Sequence, residues 1–146
     1  EVRAVRNLVA VELFSGVLTY HSYSQLILYP WGYSSDPIVD PTDSSGMQEL
    51  AGKMESLIQG VHGRTYIPEQ ASTLYPTAGD TTDWAYGEYG VWSFTIELRP
   101  SSQAEGGFIL PPSQIQPTFE ENLPAAFEFI GQTLDPDTFE TNRLQP

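Results

Sequence analysis

Two side chains of chemically useful type fall near the ends of apolar runs. His21 ends the run GVLTYH at residues 16–21, and Glu97 lies near the end of VWSFTIEL at residues 91–98. Both runs are rich in β-branched and aromatic residues, which predicts buried strands. Open α/β sheets place their sites at strand carboxyl ends. An imidazole there suits zinc binding or general-base catalysis, and burial raises the pKa of a carboxyl toward the range of a general base.

Each of these residues also has a purely structural interpretation. A histidine at a strand end is often only hydrogen-bonded to its surroundings. Glu97 has Arg99 two residues further on, on the same side of the pleat, and an ion pair would satisfy it. The same alternation places Phe94 and Ile96 on the opposite face from Thr95 and Glu97. The residues alone leave both interpretations open.

Four further polar side chains could also have a functional role, and each has a structural interpretation as well. Tyr75 lies in a predicted loop and is the aromatic residue we expect to be most mobile. Asp83 is typical of a helix start, and Asp80 is either a turn residue or a charge that selects a ligand. His62 ends a predicted helix, where its imidazole suits the helix dipole, so we interpret it as a surface residue.

Composition limits the class of protein. The 146 residues suit one domain, and a hydrophobic fraction of 40% excludes a disordered acidic tail. Nineteen acidic against six basic residues give a net charge of −13, so we expect neither a nucleic acid nor an anionic membrane as partner. Without cysteine, disulfides and thiol chemistry are excluded. No apolar stretch reaches the roughly 18 residues of a transmembrane helix.

Hydrophobic periodicity predicts helices that alternate with short buried strands, which is an α/β pattern. The predicted strands are 16–21, 25–29 and 91–98, and the predicted loops are 31–44 and 64–82. Three or four strands make a thin sheet for so many aromatic residues, which suggests an incomplete domain.

The predicted helices carry recognisable end signals. The first follows the spacing of Val2, Val5, Leu8, Val9 and Glu12 and is expected to end near Ser15–Gly16. The second covers 47–61, with Asp43 or Ser44 as its cap and Gly63 at its end. A short one covers 83–86, capped by Thr81 or Thr82. The last begins with Pro117 at its first position and is expected to kink at Pro124.

Three blocks of sequence resemble the zinc metallocarboxypeptidases of the A, B and T types, and most of all the T type. The blocks are LTYHSYSQLILYPWGY at 18–33, LYPTAGDTTDWAYG at 74–87, and WSFTIELRP at 92–100 followed by GFILPPSQIQPTFEEN at 107–122. The resemblance covers residues 1–134. It implies the C-terminal half of a mixed-sheet α/β/α catalytic domain, with residues 135–146 as a polar tail.

The resemblance implies a zinc-dependent exopeptidase that removes C-terminal residues from peptides and proteins. His21 matches a zinc ligand, Glu97 matches the general base that activates a zinc-bound water, and Tyr75 matches a mobile tyrosine that closes over the substrate's carboxylate. Zinc lowers the pKa of such a water to about 7, which lets a carboxylate take its proton.

Further positions match substrate-binding residues of the resembled family. Tyr23 and Phe108 match residues upstream of the scissile bond. The walls of the pocket for the C-terminal side chain are matched by Leu28, Gly32, Leu74, Thr82 and Thr95. Asp80 lies near a neutral pocket floor, so we expect acceptance of apolar residues and of Arg or Lys. The family's cis peptide bonds match Ser22–Tyr23, Pro30–Trp31 and Arg99–Pro100.

One departure from the family is large. The H-x-x-E motif that supplies two zinc ligands is absent, so this chain offers one ligand, His21, to one zinc ion. We therefore expect the isolated chain to need the N-terminal half of the domain as a partner and to be inactive without it. The alternatives are a non-catalytic fragment or a peptide-binding module. The acidic composition fits an extracellular protein.

Overall fold

The structure, a computed structural model, describes residues 1–12 and 14–134. The polar tail predicted for residues 135–146 lies outside the described residues. The helices and strands, in chain order, are α1 (Val2–Val11), β1 (Gly16–Ser22), β2 (Leu26–Tyr29), α2 (Pro41–His62), β3 (Ile67–Gln70), α3 (Thr81–Tyr89), β4 (Trp92–Leu98) and α4 (Ile115–Thr133). Short 3₁₀ helices cover Ala71–Thr73, Gln103–Glu105 and Pro112–Gln114.

The described strands form one mixed sheet in the order β1-β4-β2-β3. β1 runs parallel to β4, β2 runs antiparallel to β4, and β3 runs parallel to β2. This confirms the predicted α/β class and the three predicted strands. β4 is an interior strand, because it lies between β1 and β2. Its residues from Ser93 to Glu97 are all buried, which means that both faces of this strand are covered.

One face of the sheet packs against α2 and α4. Phe94, Ile96 and Ile27 of the sheet join a core that also contains the buried faces of both helices, with Met47, Leu50, Ala51, Met54, Ile58, Ala125 and Phe129. The rings of Phe94 and Phe129 meet edge to face with centroids 5.9 Å apart. The predicted alternation on β4 is confirmed, and it leaves the opposite face of the sheet for Thr95 and Glu97.

α2 begins earlier than predicted, and its cap is Asp40 rather than Asp43 or Ser44. The Asp40 carboxylate accepts hydrogen bonds from the backbone N–H groups of Thr42 (2.8 Å) and Asp43 (3.1 Å), and Pro41 occupies the first helical position. Asp43 is instead buried and accepts from Tyr86 Oη at 2.8 Å. The predicted end of α2 at Gly63 is confirmed by its left-handed φ of 70°.

The cap of α3 was also predicted wrongly: it is Asp80, not Thr81 or Thr82. α4 begins at Ile115, so Pro117 is its third residue rather than its first. Proline is tolerated there because the first helical N–H groups have no partner within the helix. Pro124 lies inside α4, which continues through it to Thr133.

The predicted loop at 64–82 contains a strand, β3, and a 3₁₀ helix. β3 lies at the edge of the sheet beside β2, a position that accepts Pro68. Among the described residues, no helix has the length and apolar character that crossing a membrane requires.

Candidate functional site

The register of the sheet brings His21 and Glu97 side by side. They are paired residues on the parallel strands β1 and β4, and His21 Nδ1 lies 3.6 Å from Glu97 Oε1. The His21 side chain is 60% exposed, whereas Glu97 is buried. Burial raises the pKa of the Glu97 carboxyl, and the nearby imidazole opposes that rise. The pair therefore presents an accessible imidazole beside a desolvated carboxyl.

The expected alternative partner of Glu97, Arg99, is bound elsewhere. Its Nε donates to Glu121 Oε1 at 2.7 Å, its Nη2 donates to Glu121 Oε2, and its Nη1 donates to Gln114 Oε1 at 2.8 Å. Glu121 lies on α4 and is fully buried. The Glu97–Arg99 ion pair is thus wrong as an explanation of Glu97, because α4 supplies the acid that neutralises Arg99.

Thr95 and Leu28 lie one step below Glu97 on the same face of the sheet. In the antiparallel register, Leu28 faces Thr95 and Leu26 faces Glu97. Thr95 Oγ1 also lies 2.8 Å from Thr19 Oγ1 of β1. Leu26 and Leu28 form a small buried cluster with Ala71. These contacts place two predicted pocket-wall residues, Leu28 and Thr95, directly beside the His21–Glu97 pair.

Asp83, in the first turn of α3, also binds the backbone of the loop after β2. Its carboxylate accepts hydrogen bonds from Gly32 N at 2.8 and 2.9 Å and from Tyr33 N at 3.0 Å. A β-carbon on Gly32 would lie 2.4 Å from Thr77 Oγ1, so the close approach requires glycine. Burial raises the pKa of Asp83, and the backbone donors lower it in part. Asp83 thereby fixes the loop that carries the predicted wall residue Gly32.

Asp80 caps α3 through its bonds to Thr82. Its Oδ1 accepts from Thr82 N at 2.8 Å and from Thr82 Oγ1 at 2.6 Å. Thr82 is buried, and Asp80 is half-buried. Asp80 lines a groove of about 490 Å³ together with Trp31, Tyr33, Asp83 and Trp84. Among the predicted wall residues, Asp80 contacts Thr82 directly, whereas Leu28 and Thr95 are not among the walls of that groove.

The remaining predicted site residues lie on surface loops. Leu74 and Tyr75 follow the 3₁₀ helix Ala71–Thr73 and are 38% and 60% exposed. Tyr23 and Phe108 pack edge to face with ring centroids 4.8 Å apart. Tyr23 Oη also donates to Gln103 Oε1 at 3.0 Å.

Cis peptide bonds are present at the three predicted positions. They join Ser22 to Tyr23, Pro30 to Trp31 and Arg99 to Pro100. Two of them flank the sheet residues of the site, since the first follows β1 and the second follows β2.

Sequence reasoning missed Gln70, which organises the loop after β2. Its Nε2 donates to the backbone carbonyls of Ser34 (2.7 Å), Asp36 (2.9 Å) and Trp31 (3.3 Å). Gln70 lies on β3, within a segment predicted to be a loop, and no local pattern indicated its role. The loop after β2 is therefore held from two sides, by Gln70 and by Asp83.

The described ranges 1–12 and 14–134 contain no group of three or more His, Asp or Glu side chains arranged to hold a metal ion. His21 and Glu97 supply two metal-binding side-chain types in contact. A metal at this place would need further ligands in addition to them.

Comparison with known proteins agrees with this geometry. The zinc carboxypeptidase family model matches residues 1–125. Carboxypeptidase B of Astacus astacus is 45% identical over 108 residues, which cover 73% of this chain and 34% of the relative. Carboxypeptidase B of Bos taurus is 41% identical over 126 residues, which cover 84% of this chain and 29% of the relative.

Solved structures give the same result. Thrombin-activatable fibrinolysis inhibitor superposes with a TM-score of 0.82 at 29% identity, over 90% of this chain and 33% of that one. The bovine form in complex with tick carboxypeptidase inhibitor gives a TM-score of 0.83, also at 29% identity, over 91% and 45%. This chain spans about a third of the length of the curated relatives it matches, and the match lies in their C-terminal part. The chain belongs to the zinc carboxypeptidase family.

Proposed function

We propose that this chain forms part of a zinc-dependent exopeptidase that hydrolyses the C-terminal peptide bond of peptides and proteins. The observation that carries the proposal is the contact between His21 and Glu97 at 3.6 Å. The two side chains differ in exposure: the imidazole of His21 is open to a ligand, and the carboxyl of Glu97 is protected from bulk water. The family's cofactor is zinc.

The residues present fit part of a zinc site. An imidazole is a preferred zinc ligand, and His21 has the exposure that a ligand requires. Bound zinc lowers the pKa of water and polarises a carbonyl. In this proposal His21 is one ligand, and the others come from polypeptide outside this chain. The relatives are about three times as long as the matched region, which leaves room for such ligands.

Glu97 is the proposed general base. Its carboxylate takes a proton from the attacking water, which frees the oxygen to bond to the scissile carbonyl carbon. The same carboxyl then gives the proton to the departing amine as the peptide C–N bond breaks. Burial raises the pKa of the Glu97 carboxyl, which makes it a stronger base than an exposed carboxylate. Tyr75, 60% exposed on its loop, is proposed to close over the substrate's terminal carboxylate.

The substrate side chain is proposed to enter a pocket whose walls include Leu28, Gly32, Leu74, Thr82 and Thr95. Leu28 and Thr95 are cross-strand partners beside Glu97, which supports this placement. Asp80 is proposed to pair with C-terminal Arg or Lys, while the uncharged walls accept apolar residues. Tyr23 and Phe108, in ring contact, are proposed to contact residues upstream of the scissile bond. An extracellular location goes with this proposal and fits the net charge of −13.

The test uses a chimera, because the isolated chain lacks a full ligand set among its described residues. The part of the Astacus astacus carboxypeptidase B that matches this chain is replaced by residues 1–125 of this chain, the range that the family model matches. We expect the chimera to bind one zinc ion and to release C-terminal residues from peptides. Glu97→Gln should lower kcat by about 100-fold or more with zinc retained. His21→Ala should lower zinc content as well as activity.

His62→Ala is the matched control, because His62 pairs with Glu120 on the surface, away from the site. It should leave zinc and activity unchanged. Full activity of the Glu97→Gln chimera would refute the general-base role. A folded, zinc-loaded chimera with no activity would favour a peptide-binding module.

A further inference from the structure

A second groove lies at the end of the sheet where β4 ends and β3 begins. It has a volume of about 350 Å³. We call it the Arg64 groove, and its walls include Gln25, Arg64, Pro100, Glu105, Leu110 and Gln114. Among the described residues that line it, none belongs to the proposed zinc site or to the proposed pocket for the C-terminal side chain. The Arg64 groove is therefore a separate surface, at the same end of the sheet as His21 and Glu97.

Gln25, one of the wall residues, is 4% exposed and carries an unsatisfied polar atom. Its Nε2 donates to Thr65 O at 2.9 Å, and its backbone O accepts from Ile67 N at 2.9 Å, so the residue is fixed against the start of β3. Its Oε1 is buried and has no hydrogen-bond partner within the described residues. Native proteins satisfy almost all such atoms. A ligand that brings an N–H donor into the groove would supply the missing partner.

Arg64 gives the groove an available positive charge. It is exposed, and within residues 1–12 and 14–134 its guanidinium makes no ion pair. The other cation of the groove, Arg99, is 7% exposed and is held by Glu121. Glu105 supplies a negative charge, but its carboxylate accepts from Ser101 N at 3.2 Å and from Ser101 Oγ at 3.1 Å, within its own loop. In a chain with a net charge of −13, Arg64 is therefore a cation that an anionic ligand can bind.

The Arg64 groove adjoins the ring contact between Tyr23 and Phe108. Gln25 follows Tyr23 by two residues, and Leu110 follows Phe108 by two residues. Two residues of chain span at most about 7 Å, so these two wall residues lie within roughly that distance of the aromatic pair. Successive residues of an extended peptide are about 3.3 Å apart. A peptide that contacts Tyr23 and Phe108 therefore reaches the groove about two residues further along.

We propose that the Arg64 groove binds an acidic side chain of the peptide substrate, about two residues further from the scissile bond than the residue at Tyr23 and Phe108. The carboxylate of that side chain pairs with Arg64, and a backbone N–H of the same segment donates to Gln25 Oε1. The groove thereby favours substrates that carry an acidic residue at one upstream position. This inference rests on the proposed function, which supplies the peptide and its direction across the site.

The two binding groups together favour a peptide over other anions. Ionised phosphate has oxygens for Arg64 but no N–H group for an acceptor such as Gln25 Oε1. An acidic residue of a peptide carries a carboxylate and a backbone N–H together. Because Arg64 is exposed, the ion pair is screened by water, and we expect a selectivity of about three- to fivefold.

The test measures kcat/KM of the chimera described above on N-acetylated peptides that end in Leu. One Glu is placed in turn at the second to the fifth residue before the scissile bond, and the matching Gln peptide is the reference at each position. We expect Glu to raise kcat/KM about three- to fivefold at one position, through a lower KM. Arg64→Gln should bring this ratio to about 1. Lys53→Gln, which removes another positive charge from the surface of α2, should leave the ratio as it was.

A binding measurement separates this inference from the proposed function. The Glu97→Gln chimera is titrated with the same peptides by isothermal titration calorimetry, which needs no hydrolysis. A Kd about three- to fivefold lower for the Glu peptide, with the difference lost when Arg64→Gln is added, would support the groove even if no chimera cleaved a peptide. Hydrolysis without a preference for Glu at any position would overturn the inference and leave the proposed function intact. A preference that survives Arg64→Gln, or that Lys53→Gln removes equally, would overturn it as well.

Discussion

The guanidinium of Arg99 is held by the carboxylate of Glu121, with Nε and Oε1 2.7 Å apart, and not by Glu97. Tyr66 Oη donates to the same Oε1 at 2.8 Å. This buried group joins the end of β4 to α4 and to the segment before β3. Because Glu121 satisfies Arg99, the carboxyl of Glu97 remains available to His21, 3.6 Å away.

Neutralising Glu121 should destabilise the chain strongly. Glu121→Gln removes the negative charge opposite Arg99, which is 7% exposed, and leaves a buried cation without its counter-charge. Loss of one partner of a buried pair costs roughly 3 kcal/mol or more. Urea unfolding followed by circular dichroism measures the change.

The neighbouring acid provides the control for this experiment. Glu120 is exposed and bonds to His62 on the surface, so Glu120→Gln should change stability little. If Glu121→Gln fails to fold, the double variant Arg99→Met with Glu121→Leu should recover a folded protein, because it removes both buried charges. Equal effects of the two single glutamine substitutions would show that the buried pair has no special role.

Removing the Asp83 carboxylate should loosen the loop after β2. Asp83→Ala leaves Gly32 N and Tyr33 N without their acceptor, and Gly32 is buried. We expect a loss of about 2 kcal/mol in unfolding free energy, the usual cost of a buried unsatisfied donor. In the active chimera, KM for the peptide should rise more than kcat falls, because Gly32 is a proposed pocket wall.

Asp36→Ala is a suitable comparison, since Asp36 lies in the same loop and is exposed. Within the described part of the chain, its carboxylate accepts a hydrogen bond only from Ser34 Oγ. It should leave the unfolding free energy and KM close to those of the parent protein. If both variants lost a similar amount of unfolding free energy, the loop would be sensitive to any substitution. The specific role assigned to Asp83 would then be contradicted.

Local patterns predicted the elements that bury a periodic apolar face. β1, β2, β4 and most of α2 follow from strand composition or from i, i+3, i+4 spacing. β3 was missed because Pro68, Glu69 and Gln70 carry no apolar alternation, and the strand depends on pairing with β2. The cap at Asp40 had a local signal, an acid before Pro41, but the surrounding Pro, Asp and Ser residues favoured a loop.

The site was predictable only where function rests on residue type and strand position. His21 and Glu97 are paired in the parallel register of β1 and β4, and the roles proposed for them come from the resemblance to the family. The bonds that hold the site come from distant segments. Glu121 lies 22 residues from Arg99, and Gln70 reaches the loop at Ser34 from 36 residues away. No sequence period encodes such contacts, since they depend on how α4 and β3 pack.

Glu97→Gln should stabilise the isolated chain at neutral pH. Burial raises the pKa of the Glu97 carboxyl above its ordinary value of 4.5 in the folded state. Between the ordinary pKa and the raised pKa, the folded chain binds more protons than the unfolded chain. The stability of the wild type therefore falls as pH rises through this interval. Glutamine does not ionise, so its stability does not fall in this way. The variant should therefore be more stable than the wild type above this interval, and the difference should vanish at about pH 4.

Thermal unfolding of both proteins at about pH 4 and about pH 7 measures this difference. Glu49→Gln, at an exposed position on α2, is the control and should shift the Tm equally at the two pH values. A Glu97→Gln variant that is less stable than wild type at neutral pH would mean that the His21 contact outweighs the cost of burial. In that case Glu97 would be an ordinary structural partner of His21.

Substrate selection gives a separate test of Asp80. The proposed pairing with C-terminal Arg or Lys requires a negative charge, whereas the α3 cap requires only an acceptor oxygen for Thr82. Asp80→Asn keeps such an oxygen and removes the charge. In the active chimera, kcat/KM for peptides ending in Arg should therefore fall about tenfold or more, the usual worth of a charged hydrogen bond. Peptides ending in Leu should be cleaved as before.

The comparison of the two substrates separates selection from folding. If the cap were damaged, α3 would shift together with Asp83 and the loop it holds, and cleavage of both peptides would decline together. An equal fall for Arg and Leu would therefore contradict the selective role of Asp80 and leave it as a helix cap. Asp36→Asn, a change of the same charge at an exposed loop position, should alter neither rate. If Asp36→Asn lowered kcat/KM only for peptides that end in Arg, the source of the selectivity would be the net negative charge of the surface.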